Sequence, residues 1–257
     1  MSETKKKRIQ IIDALRGFSV VLMVIHHLLY NFVYFLGAPE WLFTNPVFDV
    51  LHYLFAGLFI FLSGVSSRFS HSNVRRGLIV IGIAAGISAV TYYMEMPIWF
   101  GILHLLGFSM LFFGLTRKLW DAIPKKAAPV VFITLTVASA LATSFISYPT
   151  DKLRIRNWLA VLGWWQPMYN VDYSLLPWQQ GFVFVSFDYF PLLPWIFIFL
   201  LGTWAGIYIA GQKLPTWFYE AEVPVFPAIG RKALIIYVLH QPVLYAVVMG
   251  IAALGGS

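Results

Sequence analysis

The sequence predicts an all-α polytopic membrane protein of about seven transmembrane helices, with its N-terminus in the cytoplasm. Three observations carry that reading. Of the 257 residues, 60% are hydrophobic and only 11% are charged, with a mean hydropathy of +0.76; a soluble domain has about 25% charged residues. The apolar residues gather into segments at roughly 11–36, 47–67, 77–94, 98–116, 128–147, 191–211 and 231–254. The basic residues sort to alternate ends of those segments.

The first segment follows Lys5, Lys6, Lys7 and Arg8. It has the outline of a signal peptide. The apolar run is too long for one, however, lacks a small-residue cleavage site and leads into further spans, so it reads as a retained first helix. From Phe18 to Leu36 it is long enough to cross a bilayer, and the adjacent His26 and His27 lie inside it. The second segment carries Asp49 and His52 near one end and Ser63-Gly64 near the other. Gly82, Gly86, Gly107, Gly202 and Gly206 in later segments suit close helix packing in lipid. His104 sits just inside the fourth segment. The stretch 148–190 is long for an irregular loop. Its Trp158, Trp164, Trp165, Tyr169, Tyr173 and Trp178 suit a membrane interface, or stacking on sugar rings. The segment Trp158–Trp165 could form a further re-entrant or interfacial helix. Asp188 and Tyr189 precede the sixth segment, and His240-Gln241-Pro242 falls near the middle of the seventh.

Charge sets the orientation. With the N-terminus inside, fifteen of the eighteen Lys and Arg residues are cytoplasmic, and only Lys152, Arg154 and Arg156 lie outside. That split follows the positive-inside rule and sets the N-terminus inside and the C-terminus outside; a multi-pass protein of the plasma membrane is expected. The net charge of +7 therefore reads as basic groups facing anionic lipid, and no nucleic-acid partner is expected. With no cysteine, disulfides, thiolate metal sites and a thiol nucleophile are excluded.

Ionisable groups inside a span are costly and are kept where they face protein or a water-filled cavity. From Ile12 to His27 is fifteen helical steps, about 22 Å, which puts His27 in the outer half of the first span. At about 100° per residue, Asp13, Arg16, Val20, His27, Asn31 and Tyr34 share a sector of roughly 60°, while His26 points about 80° or more away. His52, His104 and Asp188 fall in the same outer half, with His240 near the midplane. A histidine there can take a proton from an amine or hydroxyl near neutral pH. Asn31 can orient the ring or stabilise an oxyanion, and Asp188 or Asp49 can hold an imidazolium after proton transfer. Basic groups at the cytoplasmic ends suit the phosphates of an anionic donor. The backbone at Ser63-Gly64 offers that donor close approach. The division suits acyl transfer across the membrane. The catalytic candidates are His27, Asn31, His104 and Asp188. The donor-binding candidates are Arg16, Ser63, Gly64, Arg68, Arg231, His240 and Gln241. His27, His52 and His104 have no diagnostic metal spacing, so no metal is expected. The contrasting readings are a proton-coupled transporter with a histidine relay and a scaffold with structural histidines. Against the transporter, no inverted repeat is evident.

Several motifs carry a resemblance. They are Ile12-Asp13-Ala14-Leu15-Arg16-Gly17 with Met23-Val24-Ile25-His26-His27, Phe61-Leu62-Ser63-Gly64, Gly101-Ile102-Leu103-His104-Leu105-Leu106-Gly107, Asp188-Tyr189-Phe190-Pro191 to Pro194-Trp195, and Tyr237-Val238-Leu239-His240-Gln241-Pro242. In order and spacing the chain resembles the bacterial branch of the heparan-alpha-glucosaminide N-acetyltransferase catalytic-domain family, within the transmembrane acyltransferase superfamily. The resemblance implies a single transmembrane acyltransferase domain over 1–257. It would take acetyl from cytosolic acetyl-CoA and deliver it to a sugar or glycan amine, or a hydroxyl, on the far side. It leaves a homo-oligomer open. The Leu-Arg-Gly entry is also similar to that of the wider transmembrane O-acyltransferases, in which the histidine ten residues after the glycine is implicated in catalysis; here that position is His27. Because the loop 37–46 carries no histidine, direct transfer with His27 as general base is the expected mechanism.

Overall fold

The computed structural model describes residues 8–94, 96–145, 161–163, 186 and 188–255. The expected re-entrant helix within 148–190 lies outside the described residues, apart from the short pieces just given. Among the described residues the regular elements are all helical, with one isolated parallel bridge between Phe100 and Tyr189. In chain order they are α1 (Gln10–Leu36), α2 (Trp41–Thr44), α3 (Pro46–Ser67), α4 (Asn73–Tyr93), α5 (Ile102–Asp121) and α6 (Ala128–Phe145). There follow α7 (Trp195–Ala210), α8 (Thr216–Glu220), α9 (Phe226–Arg231) and α10 (Ala233–Gly255).

Every expected apolar segment contains a helix, but they differ in length. Gln10–Leu36, Val50–Ser67, Asn73–Tyr93, Ile102–Asp121 and Ala233–Leu254 are long and apolar enough to cross a membrane, whereas Ala128–Thr143 and Trp195–Ala210 are shorter. For α7 the reason is local. Pro191 and Pro194 occupy the start of the expected segment, and Pro194 is the residue before the first helical turn. Proline lacks the N–H a helix interior needs, so it belongs at or before a helix start. At the other extreme, α1 runs for 27 residues and stops where Gly37 takes a left-handed conformation (φ 64°), its N–H bonded to the Phe32 carbonyl. Glycine adopts that cap without steric cost.

The chain divides into two compact units, one formed by Met1–Leu62 with Gln212–Ser257, the other by Ser63–Gly211. In the first, α1 packs against α9 and α10. Gly17 and Gly230 make the first contact possible, since a Cβ on Gly17 would run into the Phe226 carbonyl and one on Gly230 into the Asp13 carbonyl. Phe18 closes the contact edge-on to Phe226 and Phe55, with ring centroids 5.8 and 5.9 Å away. Gln10 accepts from the Val223 N–H at 3.2 Å.

In the second unit, α4 and α5 pair through Gly77, Gly107 and Gly114, while Gly64 and Gly206 bring the end of α3 against α7. Small residues let helix backbones approach closely, which matters in lipid because no hydrophobic force separates lipid from helix. The glycine expectation from the sequence is therefore corrected in part. Gly107 and Gly206 are packing sites, but a Cβ at Gly82 or Gly86 would meet nothing. The α4 glycine that faces α5 is Gly77, whose open side meets the Gly107 carbonyl and the Leu111 N–H.

Candidate functional site

In the first unit, α1 places His27 and Asn31 one turn apart, and α10 supplies Gln241 between them. Gln241 Nε2 lies 2.9 Å from His27 Nδ1, and Asn31 Nδ2 donates to Gln241 Oε1 at 3.3 Å. Asn31 is only 2% exposed and Gln241 half-buried, so the Asn31 amide makes its hydrogen bond within the protein. Buried polar groups left unpaired are costly. The chain Asn31–Gln241–His27 therefore fixes the imidazole.

Three more histidines surround that ring. His240, next to Gln241, has its ring centroid 4.9 Å from His27. Its Nδ1 contacts the Tyr237 carbonyl at 2.6 Å. On the other side His26 lies 5.7 Å from His27 and stacks on His52 at 4.3 Å with 29° between planes; Phe43 closes over His26 at 4.9 Å. His52 on α3, His26 and His27 on α1, and His240 on α10 thus form a continuous row of imidazoles. Two of their nitrogens, His26 Nδ1 and His240 Nε2, are buried without a hydrogen-bond partner among the described residues.

At its other end the same unit carries Arg16, whose Nη1 pairs with Asp13 Oδ1 at 2.9 Å. The contact of Gly230 with the Asp13 carbonyl brings α9, and with it the exposed Arg231, to that turn of α1. Of the residues singled out from sequence, this unit brings together His27, Asn31, His240 and Gln241, and separately Arg16 and Arg231. The sequence missed His26 as a member of the histidine row. Its signal was the presence of a second histidine, His52, on the next apolar segment.

In the second unit, His104 and Asp188 each take part in the structure around the start of α5, through different partners. Asp188 Oδ2 accepts from the Ile102 N–H at 3.4 Å, an N-terminal cap that Gly101 has no side chain to make. The Phe190 N–H donates to the Phe100 carbonyl at 2.8 Å and holds 188–190 in place. His104 Nε2 is 3.2 Å from Ser88 Oγ, and that hydroxyl also donates to the Ile98 carbonyl. Because a carbonyl only accepts, the Ser88 proton is committed to Ile98, and His104 Nε2 must then be the donor to Ser88.

Ser63, Gly64 and Arg68 follow one another at the end of α3. The open side of Gly64 is filled by the Phe199 carbonyl and the Thr203 N–H of α7. The Ser63 carbonyl accepts from Ser67 Oγ at 3.0 Å. Arg68 Nη2 pairs with Asp121 Oδ1 at 2.7 Å, its Nε donates to the Thr203 carbonyl at 2.8 Å, and its guanidinium lies 4.8 Å over the Phe113 ring. Beside it is a cavity of about 370 Å³ whose lining includes Arg117, Trp120, Asp121, Lys125 and Trp204. Gly64 and Arg68 are thus engaged by neighbouring helices, and Ser63 by the next turn of its own helix.

Among the described residues no group of three or more His, Asp or Glu side chains is arranged to hold a metal ion. In the histidine row, His26 stacks on His52 and His27 is tilted against His240. An imidazole held by an amide, beside a second imidazole with an unpartnered nitrogen, suits proton transfer to and from a substrate.

Compared with known families, residues 8–242 match the family model described as "Heparan-alpha-glucosaminide N-acetyltransferase, catalytic". No curated protein and no solved structure matches the chain.

Proposed function

The chain belongs to the heparan-alpha-glucosaminide N-acetyltransferase catalytic family, and from that premise we propose the following reaction. The protein moves an acetyl group from cytosolic acetyl-CoA to the amine, or a hydroxyl, of an extracytoplasmic sugar or glycan, with His27 as general base. Membership by itself implies a membrane acyltransferase. The donor, the acceptor and the residue roles are the proposal.

The observation that carries it is the hydrogen-bonded chain from Asn31 through Gln241 to His27 Nδ1. For His27 to act as a base, Nε2 must be bare and Nδ1 must carry the proton. Gln241 meets that need when its amide oxygen faces the ring, accepting from Nδ1–H while its NH2 group donates to the Asn31 oxygen. Side-chain amides can turn this way because oxygen and nitrogen exchange places with little change in shape. His27 Nε2 then takes the proton of the acceptor as its nitrogen or oxygen bonds to the acetyl carbon. The thioester C–S bond breaks, and the CoA thiolate leaves with the bonding pair and recovers the proton from the imidazolium. Such general base catalysis contributes about 10² to 10⁴-fold.

Donor binding is proposed for the opposite end of α1. Arg16 and Arg231 lie there, suited to the phosphates of CoA. From Arg16 to His27 is eleven helical steps, about 16 Å, a distance the pantetheine arm can bridge along the helix. The charge asymmetry of the sequence supports a cytoplasmic position for that end.

The test is a detergent-purified preparation melted with and without acetyl-CoA, then assayed for labelled acetyl transfer to glucosamine. A ligand at about 100 times its dissociation constant adds about 2.7 kcal/mol, so the midpoint should rise clearly and label should enter the sugar. If neither CoA nor acetyl-CoA moves the midpoint and no amine or hydroxyl acceptor takes up label, the proposal fails. The histidine row would then favour the proton-coupled transporter.

A further inference from the structure

His240 was expected from the sequence to contact the donor. Its surroundings assign it other chemistry. The Tyr237 carbonyl, 2.6 Å from His240 Nδ1, has no proton to give. The ring nitrogen must therefore be the donor, which fixes the proton of the neutral imidazole on Nδ1 and leaves the lone pair on Nε2. That Nε2 is buried and has no hydrogen-bond partner among the described residues, in a residue only 8% exposed. A buried acceptor without a partner costs about 1–3 kcal/mol, and in a native site it calls for a ligand or a task. The neighbouring ring is His27, 4.9 Å away centroid to centroid.

The contrast with His27 is informative. The partner of His27 is an amide, which offers either an oxygen or an NH2 group. As the amides stand in the structure, Asn31 donates to Gln241 Oε1, and the Gln241 NH2 group faces His27 Nδ1. In that arrangement His27 Nδ1 accepts, and its Nε2 carries the proton. His27 is then a hydrogen-bond donor, suited to a carbonyl oxygen that gains negative charge. His240 has no such freedom, because its partner is backbone. Its bare nitrogen is available whichever way Gln241 is turned.

We propose that His240 is a second general base of the acyl transfer: with the amides as they stand in the structure, His27 donates Nε2–H to the thioester oxygen and His240 Nε2 takes the acceptor's proton in place of His27, which is the base only when Gln241 is turned. This inference rests on the acetyltransferase reading above. The step is the same balanced exchange. The acceptor's nitrogen or oxygen bonds to the acetyl carbon as its proton passes to His240, the C–S bond breaks, and the thiolate retrieves that proton from the His240 imidazolium.

The experiment compares wild type with His240→Asn as full-length protein in detergent, using acetyl-CoA and glucosamine as probes. Asparagine places an NH2 group near the position of Nδ1, so the bond to Tyr237 can persist while the basic nitrogen is lost. The proposal expects kcat to fall by about 100-fold or more, with KM for acetyl-CoA little changed. A base must be unprotonated to act, so the wild-type rate falls toward low pH. That acid limb should flatten in the variant, and added imidazole should restore part of the rate. If His240→Asn does not purify as a folded species, His240→Gln supplies the same comparison. A variant that turns over at the wild-type rate with an unchanged acid limb overturns the role of His240 and leaves the acetyltransferase reading standing. A folded wild-type protein that transfers no acetyl to any acceptor overturns that reading instead.

Discussion

Gln241 approaches His27 Nδ1 to 2.9 Å, and the direction of that one amide decides whether His27 offers a lone pair or a proton at Nε2. Glutamate at this position would only accept, holding the proton on Nδ1, and Asn31 could still donate to it. Leucine would neither donate nor accept. We therefore expect Gln241→Glu to keep transfer activity with His27 held in its base form. Gln241→Leu should lose about tenfold or more in kcat. Steady-state kinetics of the two variants checks this; equal activities would show that the amide does not set the tautomer.

Ser88 Oγ donates a hydrogen bond to the Ile98 carbonyl and accepts one from His104 Nε2. Ser88→Ala removes both bonds and strands a buried imidazole N–H, at a cost of about 1–3 kcal/mol. The thermal midpoint in detergent should drop accordingly. An unchanged midpoint would mean that His104 finds another partner and that its bond to Ser88 has no structural weight.

Arg68 distinguishes two roles. Sequence reasoning assigned it to the donor, whereas the structure surrounds it with Asp121, the Thr203 carbonyl and the Phe113 ring. Its side chain is 6% exposed, that of Asp121 38%, so the pair is half-screened. Removing one partner of a buried pair costs about 3–5 kcal/mol, and the exposure of Asp121 moves the expectation to the low end. Arg68→Ala should therefore lower the melting midpoint markedly. A normal midpoint with a raised KM for acetyl-CoA would return Arg68 to the donor site.

Two glycines give a paired test of packing. A Cβ at Gly64 would strike the Phe199 carbonyl, backbone that cannot move aside cheaply, while one at Gly82 would meet nothing. Gly64→Ala should reduce the yield of folded protein. Gly82→Ala should be neutral or stabilising by about 0.5–1 kcal/mol, because alanine favours the helix. Melting curves and size-exclusion profiles of the two variants give the answer.

What was legible in the sequence follows from what a single helix can reveal. His27 and Asn31 are four residues apart, so their shared face could be read from helical rotation alone, and α10 does meet that face through Gln241. His26 was set aside by the same rotation because a wheel has no information about neighbours. The structure puts His52 against that side of α1. Likewise Gly82 and Gly86 have the spacing of a packing seam, but the seam on α4 is set by which face meets α5, and that face carries Gly77. Apolar length was legible for α1 and α10. It overreached at 191–211, where Pro194 delays the helix start to Trp195. The backbone bond from His240 to Tyr237 could not be foreseen, since its value lies in the burial of the opposite nitrogen.

The most direct measurement reconstitutes the protein in sealed vesicles, with glucosamine enclosed and labelled acetyl-CoA outside. Wild type should accumulate N-acetylated sugar inside, and His27→Ala should fold and bind acetyl-CoA, with a lower melting midpoint because the Gln241 amide loses its partner, and accumulate none. Acetylation by His27→Ala at the wild-type rate would contradict the account, as would a wild-type protein that binds the donor yet modifies no enclosed amine or hydroxyl sugar acceptor.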